Sequence, residues 1–451
     1  MTRQRAKGVG DRSKIRTRIH RIVFFAFTLC LLLFSFDYPP FAFTSLAHEP
    51  ITTKVRFNKE VVRILRRSCL GCHHPSGIAM SLATYEEARP WAKAIKEEML
   101  EKRMPPWHAV KGYGEFRNAP PLAQREIDLI INWVEGGAPK GDDKDLPAEP
   151  LYSNDWSLGK PDLILKPEAE TQVAPDADEH RVFTLPATIK EDRWITAIDL
   201  QPGNGSVVHC ATFYLDGGRV SGAGGQVEKV DTTGISQVAK TIASSAPGPR
   251  PATPGPFLGT WMPGQKTVLL PEETARLLPA GSRIAVKIHY HGAGEETKDS
   301  SAVGLYFAKS PPRKQLQEIG ITNSEALIPA GAGLQQVTTA FTIKDDAGAV
   351  AIRPRVDPLL LSLQATAYRP DGTQEVLIWA RGYGFDWQPT YYFKQPVALP
   401  KGTRIEVIAY FDNSDDNRNN PNNPAKPVRW SDLTSEPMCA LLITNGRSAN
   451  D

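Results

Sequence analysis

The pentapeptide Cys69-Leu70-Gly71-Cys72-His73 constrains this chain more than any other stretch. Two thiols two residues apart, followed at once by an imidazole, match covalent haem attachment. Both sulfurs reach the vinyl groups of one porphyrin from a single tight turn, and the histidine falls beneath the iron as an axial ligand. A structural zinc site would need a second Cys or His pair at similar spacing, and none follows. A thioredoxin-like pair needs no histidine and comes with a βαβ pattern that is missing here. Cys69, Cys72 and His73 are therefore expected to hold one haem c.

Such attachment takes place outside the cytoplasm in bacteria, so an export signal is expected. Arg3, Arg5, Lys7, Arg12, Lys14, Arg16, Arg18 and Arg21 form a basic leader, and Ile22 to Phe36 is an apolar run. That run is shorter than the ~20 residues a bilayer span needs. Thr44-Ser45-Leu46-Ala47 then offers small residues for cleavage. Residues 1–47 are expected to be a signal peptide, with a retained N-terminal anchor as the alternative. They hold 8 of the 53 basic and 2 of the 50 acidic residues, so the remaining chain carries 45 against 48, a net of −3. That balance offers no footprint for a nucleic acid. The mature chain is expected to be periplasmic or otherwise exported, without a stable membrane span.

Residues 48–140 are expected to form a small all-α monohaem cytochrome c domain. Asn58 to Ser68 reads as a helix leading into the motif. Thr84-Tyr85-Glu86-Glu87 is a capping box, and Trp91, Ile95 and Met99 follow at helical spacing with Pro90 in the early turns. Gln124 to Glu135 carries Ile127, Ile130, Ile131 and Val134 on one stripe. The sixth iron ligand lies among Met80, Met99 and Met104. Met104 precedes Pro105-Pro106-Trp107, a stiff extended segment suited to holding a thioether, and is the preferred ligand. Met99 suits a core position and Met80 loop packing. An open iron, or ligation by His74 or His108, is the remaining alternative.

After a linker over 141–155 the pattern changes. Arg193 to Leu200, Ala211 to Asp216, Arg283 to His291, Ala302 to Ala308, Leu359 to Arg369, Glu375 to Arg381 and Arg404 to Asp412 are β-branched or aromatic, with turn residues between them. The expectation is two all-β, jelly-roll-like sandwiches over 156–310 and 311–451. Asp412 to Pro424, rich in Asn and Asp, is expected to be a long solvated loop.

Several short stretches carry a resemblance. They are Tyr85-Glu86-Glu87-Ala88-Arg89-Pro90-Trp91, Arg103-Met104-Pro105-Pro106-Trp107-His108, Glu191-Asp192-Arg193-Trp194 and Val207-Val208-His209. With them come Trp261-Met262-Pro263-Gly264, Leu278-Pro279-Ala280-Gly281-Ser282-Arg283 running to His289-Tyr290-His291, Pro370-Asp371-Gly372 and Met438-Cys439. From about residue 156 on, the chain resembles the copper type II, ascorbate-dependent monooxygenases, the family of dopamine β-monooxygenase and the peptidylglycine hydroxylating enzyme. The whole chain looks like bacterial fusions of a CxxCH cytochrome to that tandem sandwich.

The resemblance implies two copper centres, one held by three His and one by two His and a Met. Imidazole and thioether suit copper cycling between two oxidation states. Five ligand histidines are needed, but after His108 the chain has only His180, His209, His289 and His291. Where the family has adjacent histidines, this chain has His209-Cys210, and the third ligand matches His289. His209, Cys210 and His289 are thus a candidate residual copper site. The alternative is that Cys210 is a buried small hydrophobe. His291 lies one strand period from His289 on the same face, where relatives carry a His that is not a ligand. At the oxygen-binding centre, Arg355 and Asp357 stand where both imidazoles belong, and Met438 alone remains of its ligands. Arginine stays protonated and does not ligate metal, so an Arg355–Asp357 ion pair is expected in a vacant site. Cys439 matches a family disulfide cysteine for which no obvious partner remains, a pairing with Cys210 in the other sandwich being the alternative.

No nucleophile elbow, HExxH or phosphate loop is present, and no catalytic residue is assigned. The expected function is haem-based electron transfer with a redox partner protein that the sequence does not identify, the β-region serving as a docking module. The enzymatic alternative is a copper-dependent oxidoreductase fed by the haem. A third possibility is a structural subunit of an envelope complex.

Overall fold

In a computed structural model the described residues are 53–118, 122–148, 156–216, 230–231, 255–321, 323, 326–354, 358–382, 387–429 and 441–448. The leader over 1–47, Arg355, Asp357, Met438 and Cys439 lie outside them. Strand accounts for 40% of the described residues and helix for 13%.

Eleven strands precede residue 310: β1 Leu163–Leu165, β2 Thr171–Val173, β3 Asp178–Pro186, β4 Arg193–Gln201, β5 Val208–Leu215, β6 Val230–Asp231, β7 Phe257–Trp261, β8 Thr274–Leu278, β9 Arg283–His291, β10 Thr297–Asp299 and β11 Ala302–Phe307. Ten follow: β12 Lys314–Ile321, β13 Leu327–Ile328, β14 Gln335–Thr342, β15 Ala347–Pro354, β16 Leu360–Tyr368, β17 Gln374–Arg381, β18 Tyr391–Leu399, β19 Arg404–Phe411, β20 Val428–Arg429 and β21 Leu441–Ser448.

One eight-stranded sheet, β1-β11-β4-β8-β12-β21-β15-β18, runs through both halves. The halves join where β8 pairs with β12 in parallel, Thr274 against Lys314 and Ala275 against Gln315. The joint buries Arg276, whose guanidinium donates to Glu318 at 2.7 Å; Thr444 donates to the same carboxylate at 2.9 Å. In the first half the sheet β6-β3-β9-β5-β7 supplies one side of a core with Leu185, Phe213, Ile284, Val286 and Ile288. In the second, β14-β19-β16-β17 does the same around Leu363, Ile378, Val407 and Phe411. Strand alternation explains this burial: β19 reads exposed, buried, intermediate, buried along Arg404 to Val407, as a sheet with one wet face requires.

The expected small all-α cytochrome domain is not seen. The helices before residue 140 are short: Val62–Ser68, Tyr85–Ala88, Ala92–Leu100 and Gln124–Glu135. They share an apolar cluster with Phe57, Leu65, Ile130 and Trp133 at its centre. The chain divides only at residue 52, and Thr53–Asp451 is one compact unit. The physical reason lies in residues 107–118, which leave the helices and add to the second β half. Ala109 bridges Ala380, Phe116 bridges Phe393, and Val110 N–H donates to Trp379 O at 2.7 Å. Trp107 and Phe116 pack on Tyr391 with ring centroids 4.7 and 5.2 Å away. A helical segment that places its own aromatic residues in a neighbouring β core is not a separate domain.

Phe116→Ala is therefore expected to cost about 3–5 kcal/mol, the usual range for emptying a buried aromatic site. The loss should fall on the second β half, as faster amide exchange in β17 and β18. Exchange faster only in the helices would contradict the integration described here.

Local expectations fare unevenly. Thr84 caps its helix with the full reciprocal box, its Oγ1 accepting from Glu87 N–H at 3.2 Å and its own N–H donating to Glu87 at 3.0 Å. Trp91, expected on the apolar stripe, is 43% exposed, because the Arg89–Trp91 turn is 3-10 and shifts the helical phase. The loop after β19 is not simply solvated. Asn413 is fully buried, and its amide donates to Pro329 O and Lys426 O at 2.9 and 2.8 Å. The asparagines there satisfy a turn's backbone groups from within.

Candidate functional site: the CxxCH turn and a histidine cluster

The helix Val62–Ser68 ends on Cys69, whose N–H donates to Leu65 O at 2.7 Å. The chain then turns tightly, with Cys72 N–H and His73 N–H both donating to Cys69 O at 3.1 and 3.0 Å. One carbonyl thus gathers both thiol-bearing residues and the histidine. Burial holds both thiols protonated, Cys69 pushed up to about 12 and Cys72 to about 11, with Cys72 adding to the shift of Cys69.

His73 Nδ1 lies 2.9 Å from Met80 O. A carbonyl only accepts, so Nδ1 carries the proton and Nε2 keeps its lone pair, the arrangement an axial ligand needs. The same bond places the Met80 backbone behind the imidazole, on the side away from an iron at Nε2. Met104 follows the helix Ala92–Leu100, its N–H donating to Glu98 O at 3.2 Å, and is 44% exposed. Met99 is buried in the helical core, as expected. The turn therefore suits haem attachment, with two thiols and an oriented imidazole gathered on one carbonyl.

The second site lies at one end of the five-stranded sheet. Asp178 and His180 start β3, His209 and Cys210 start β5, and His289 and His291 end β9. Antiparallel register sets Asp178 opposite His291 and His180 opposite His289. Neighbours on a strand normally face opposite ways, but β5 is irregular between Val208 and Cys210, where Cys210 pairs with His289. This bulge turns His209 toward the other two histidines. The ligand atoms of His209, His289 and His291 all lie within 4.8 Å of one another. Three imidazoles around a tetrahedral ion sit about 3.4 Å apart for bonds near 2.0–2.1 Å, so small side-chain rotations close the set.

Cys210, expected in this set, lies outside the group of three, and His291 takes its place. The signal for His291 was visible as the i, i+2 spacing from His289. His180 was not anticipated at all; its ring centroid is 4.2 Å from that of His289. Only the pairing of β3 with β9 reveals it.

Hydrogen bonding arranges the nitrogens. Asp178 Oδ1 is 2.8 Å from His289 Nε2 and 3.4 Å from His291 Nε2. A carboxylate accepts, so His289 Nε2 donates and Nδ1 is left as the donor atom for a metal. Asp178 itself is 46% exposed, which opens the cluster to solvent on that side. Trp387, from the loop before β18, stands edge-on to His209 at 5.6 Å. Burial, followed by the neighbouring basic groups, holds His180 down to about 2 and His209 down to about 3. Both are neutral at pH 7, so their lone pairs are available without a proton to displace.

Both folded values lie below the ordinary 6.5. The unfolded chain therefore binds more protons than the folded one below that pH. Metal-free protein should keep the full contribution of these residues above about pH 6.5 and lose it as pH falls toward 3. A denaturant series by circular dichroism checks this. His180→Phe with His209→Phe should flatten the acid limb, and an unchanged limb would contradict the assignment.

The described residues contain no helix long and apolar enough to cross a membrane.

No family model matches the chain, and no curated protein matches it significantly. Solved structures with some likeness include that of the infectious bursal disease virus Gx strain, at 8% identity over 63% of this chain and 76% of that one, with a TM-score of 0.17. The VP2 subviral particle of infectious bursal disease virus matches at 9% identity over 66% and 79%, with a TM-score of 0.15. The Sputnik virophage matches at 8% identity over 62% and 86%, with a TM-score of 0.17. Likeness this low carries no argument about fold or function.

Proposed function

We propose that the chain is an exported one-electron carrier with a single covalent haem c on Cys69 and Cys72, His73 and Met104 being the axial ligands. The observation that carries it is the CxxCH turn itself, with His73 Nδ1 held by Met80 O so that Nε2 is left for iron. Haem bound there supplies reversible ferric–ferrous cycling. The chain's residues would hold the ring through Cys69 and Cys72 and orient the imidazole of His73.

The histidine cluster favours a second reading, a haem-fed copper oxidoreductase. His209, His289 and His291 offer three imidazoles, a donor set that suits copper and zinc alike. The resemblance to the copper type II monooxygenases belongs to this proposal and favours copper. The described chain holds too few histidines for that family's second centre, so the proposal stops at one mononuclear electron-storing site without oxygen activation.

Spectroelectrochemistry on protein matured with c-type haem tests the carrier reading. A single reversible one-electron wave is expected, with a weak near-infrared sulfur-to-iron band in the ferric state. Met104→Ala should remove the band and Met80→Ala should leave it. No reversible wave would end the electron-carrier proposal, and the reverse result for the two methionines would move the ligand to Met80.

A further inference from the structure

The CxxCH turn does not merely lie near the β-region; it is seated on the loop before β5, the strand bearing His209, and on the loop after β7, the strand paired with β5. On one side Gly71 and Gly264 meet backbone to backbone: a Cβ built on Gly71 would stand 2.4 Å from Gly264 Cα, and one on Gly264 would stand 2.8 Å from Gly71 Cα. Gly264 also has φ +73, so it holds a turn that L side chains rarely adopt. Beside this contact, Cys72 Sγ is 3.3 Å from Pro263 O. On the other side, a Cβ on Gly205 would stand 2.9 Å from Ser76 O. Gly205 lies four residues before His209, and Val207 O accepts from His291 N–H at 2.9 Å.

The strands link this seat to the histidines: β7 ends at Trp261, two residues before Pro263, and Trp261 pairs with Ala211, two residues after His209 in β5. Formation of the thioether removes the thiol proton, and the Sγ–Pro263 contact becomes van der Waals; the glycine packing does not depend on it.

We propose that this seat is an electron-exchange contact, so that the haem on Cys72 and a copper ion on the histidine cluster pass one electron directly within the chain. It rests on the haem and metal sites proposed above. The balance is one electron: ferrous haem becomes ferric, Cu(II) becomes Cu(I), and no proton or bond is exchanged. An external one-electron donor, such as a photogenerated reductant, supplies the electron to the haem.

The test uses full-length haem-loaded protein with Cu(II) added. A short light pulse reduces the haem, and the decay of the ferrous band is followed at several protein concentrations. The decay should be independent of concentration, absent when Zn(II) replaces Cu(II), and absent in His289→Ala. Gly71→Val should slow it about tenfold or more, given how steeply rates respond to ångström displacements. Gly264→Ala, which leaves the CxxCH turn unchanged in sequence, should slow it as well. Haem stain and copper content are measured on every variant, and only variants retaining both are compared. Decay that scales with concentration, or rates unchanged in both glycine variants, would overturn the proposal while leaving the two sites standing. Wild-type protein that binds no copper would overturn the metal site and the exchange together.

Discussion

Replacing both Cys69 and Cys72 by serine should abolish covalent haem, leaving denatured protein with no haem stain. Each thioether is one of two bonds to the ring, so Cys72→Ser alone should weaken the stain, while haem still joined through Cys69 should stay with the denatured protein in acid solvent. The fold should survive both changes. Neither thiol is at the centre of the helical core, which is carried by Phe57, Leu65, Ile130 and Trp133. Circular dichroism and melting of the serine variant separate a lost cofactor from a lost fold. Wild-type haem that washes fully into acid solvent would contradict covalent attachment.

The second large effect concerns the histidine cluster. His289→Ala should lower copper affinity by at least about 100-fold, because it removes one of three ligands and also the group that Asp178 orients. Asp178→Asn should cost about 10–100-fold, the usual effect of losing a carboxylate behind a ligating imidazole. Cys210→Ser should change affinity little, since its thiol lies outside the set of three. Competition titration with a chromogenic chelator measures all three variants. A Cys210→Ser loss as large as that of His289→Ala would return Cys210 to the ligand set in place of His291.

Strand positions were well expressed in the sequence because their burial alternates with period two. Arg283–His291 was expected and found with the same ends, and β4, β16, β17 and β19 were found within two residues of expectation. The capping box at Thr84 was equally plain, since both its partners lie within four residues. Long-range packing was not expressed locally. Nothing in Trp107 to Phe116 says that these aromatics belong to the second β half and not to the helices beside them. The same holds for the parallel pairing of β8 with β12, which merges two expected sandwiches into a shared sheet.

The candidate sites divide along the same line. Cys69, Cys72 and His73 form a local motif and could be read directly. His209 and His289 come through a resemblance, and so does Cys210, which stands where the family has the second of two adjacent histidines. A β-bulge, which propensity does not reveal, decides which side chain turns inward. His180 and Asp178 join the site only through the β3–β9 register.

The most direct test of the central claim is the iron, haem and copper content per chain, measured together with the optical spectrum. It uses full-length protein matured with c-type haem and equilibrated with copper. The account predicts one covalent haem, with iron to match, and one copper that is lost in His289→Ala while the haem remains. Protein with no covalent haem, or with two copper ions per chain, would contradict it.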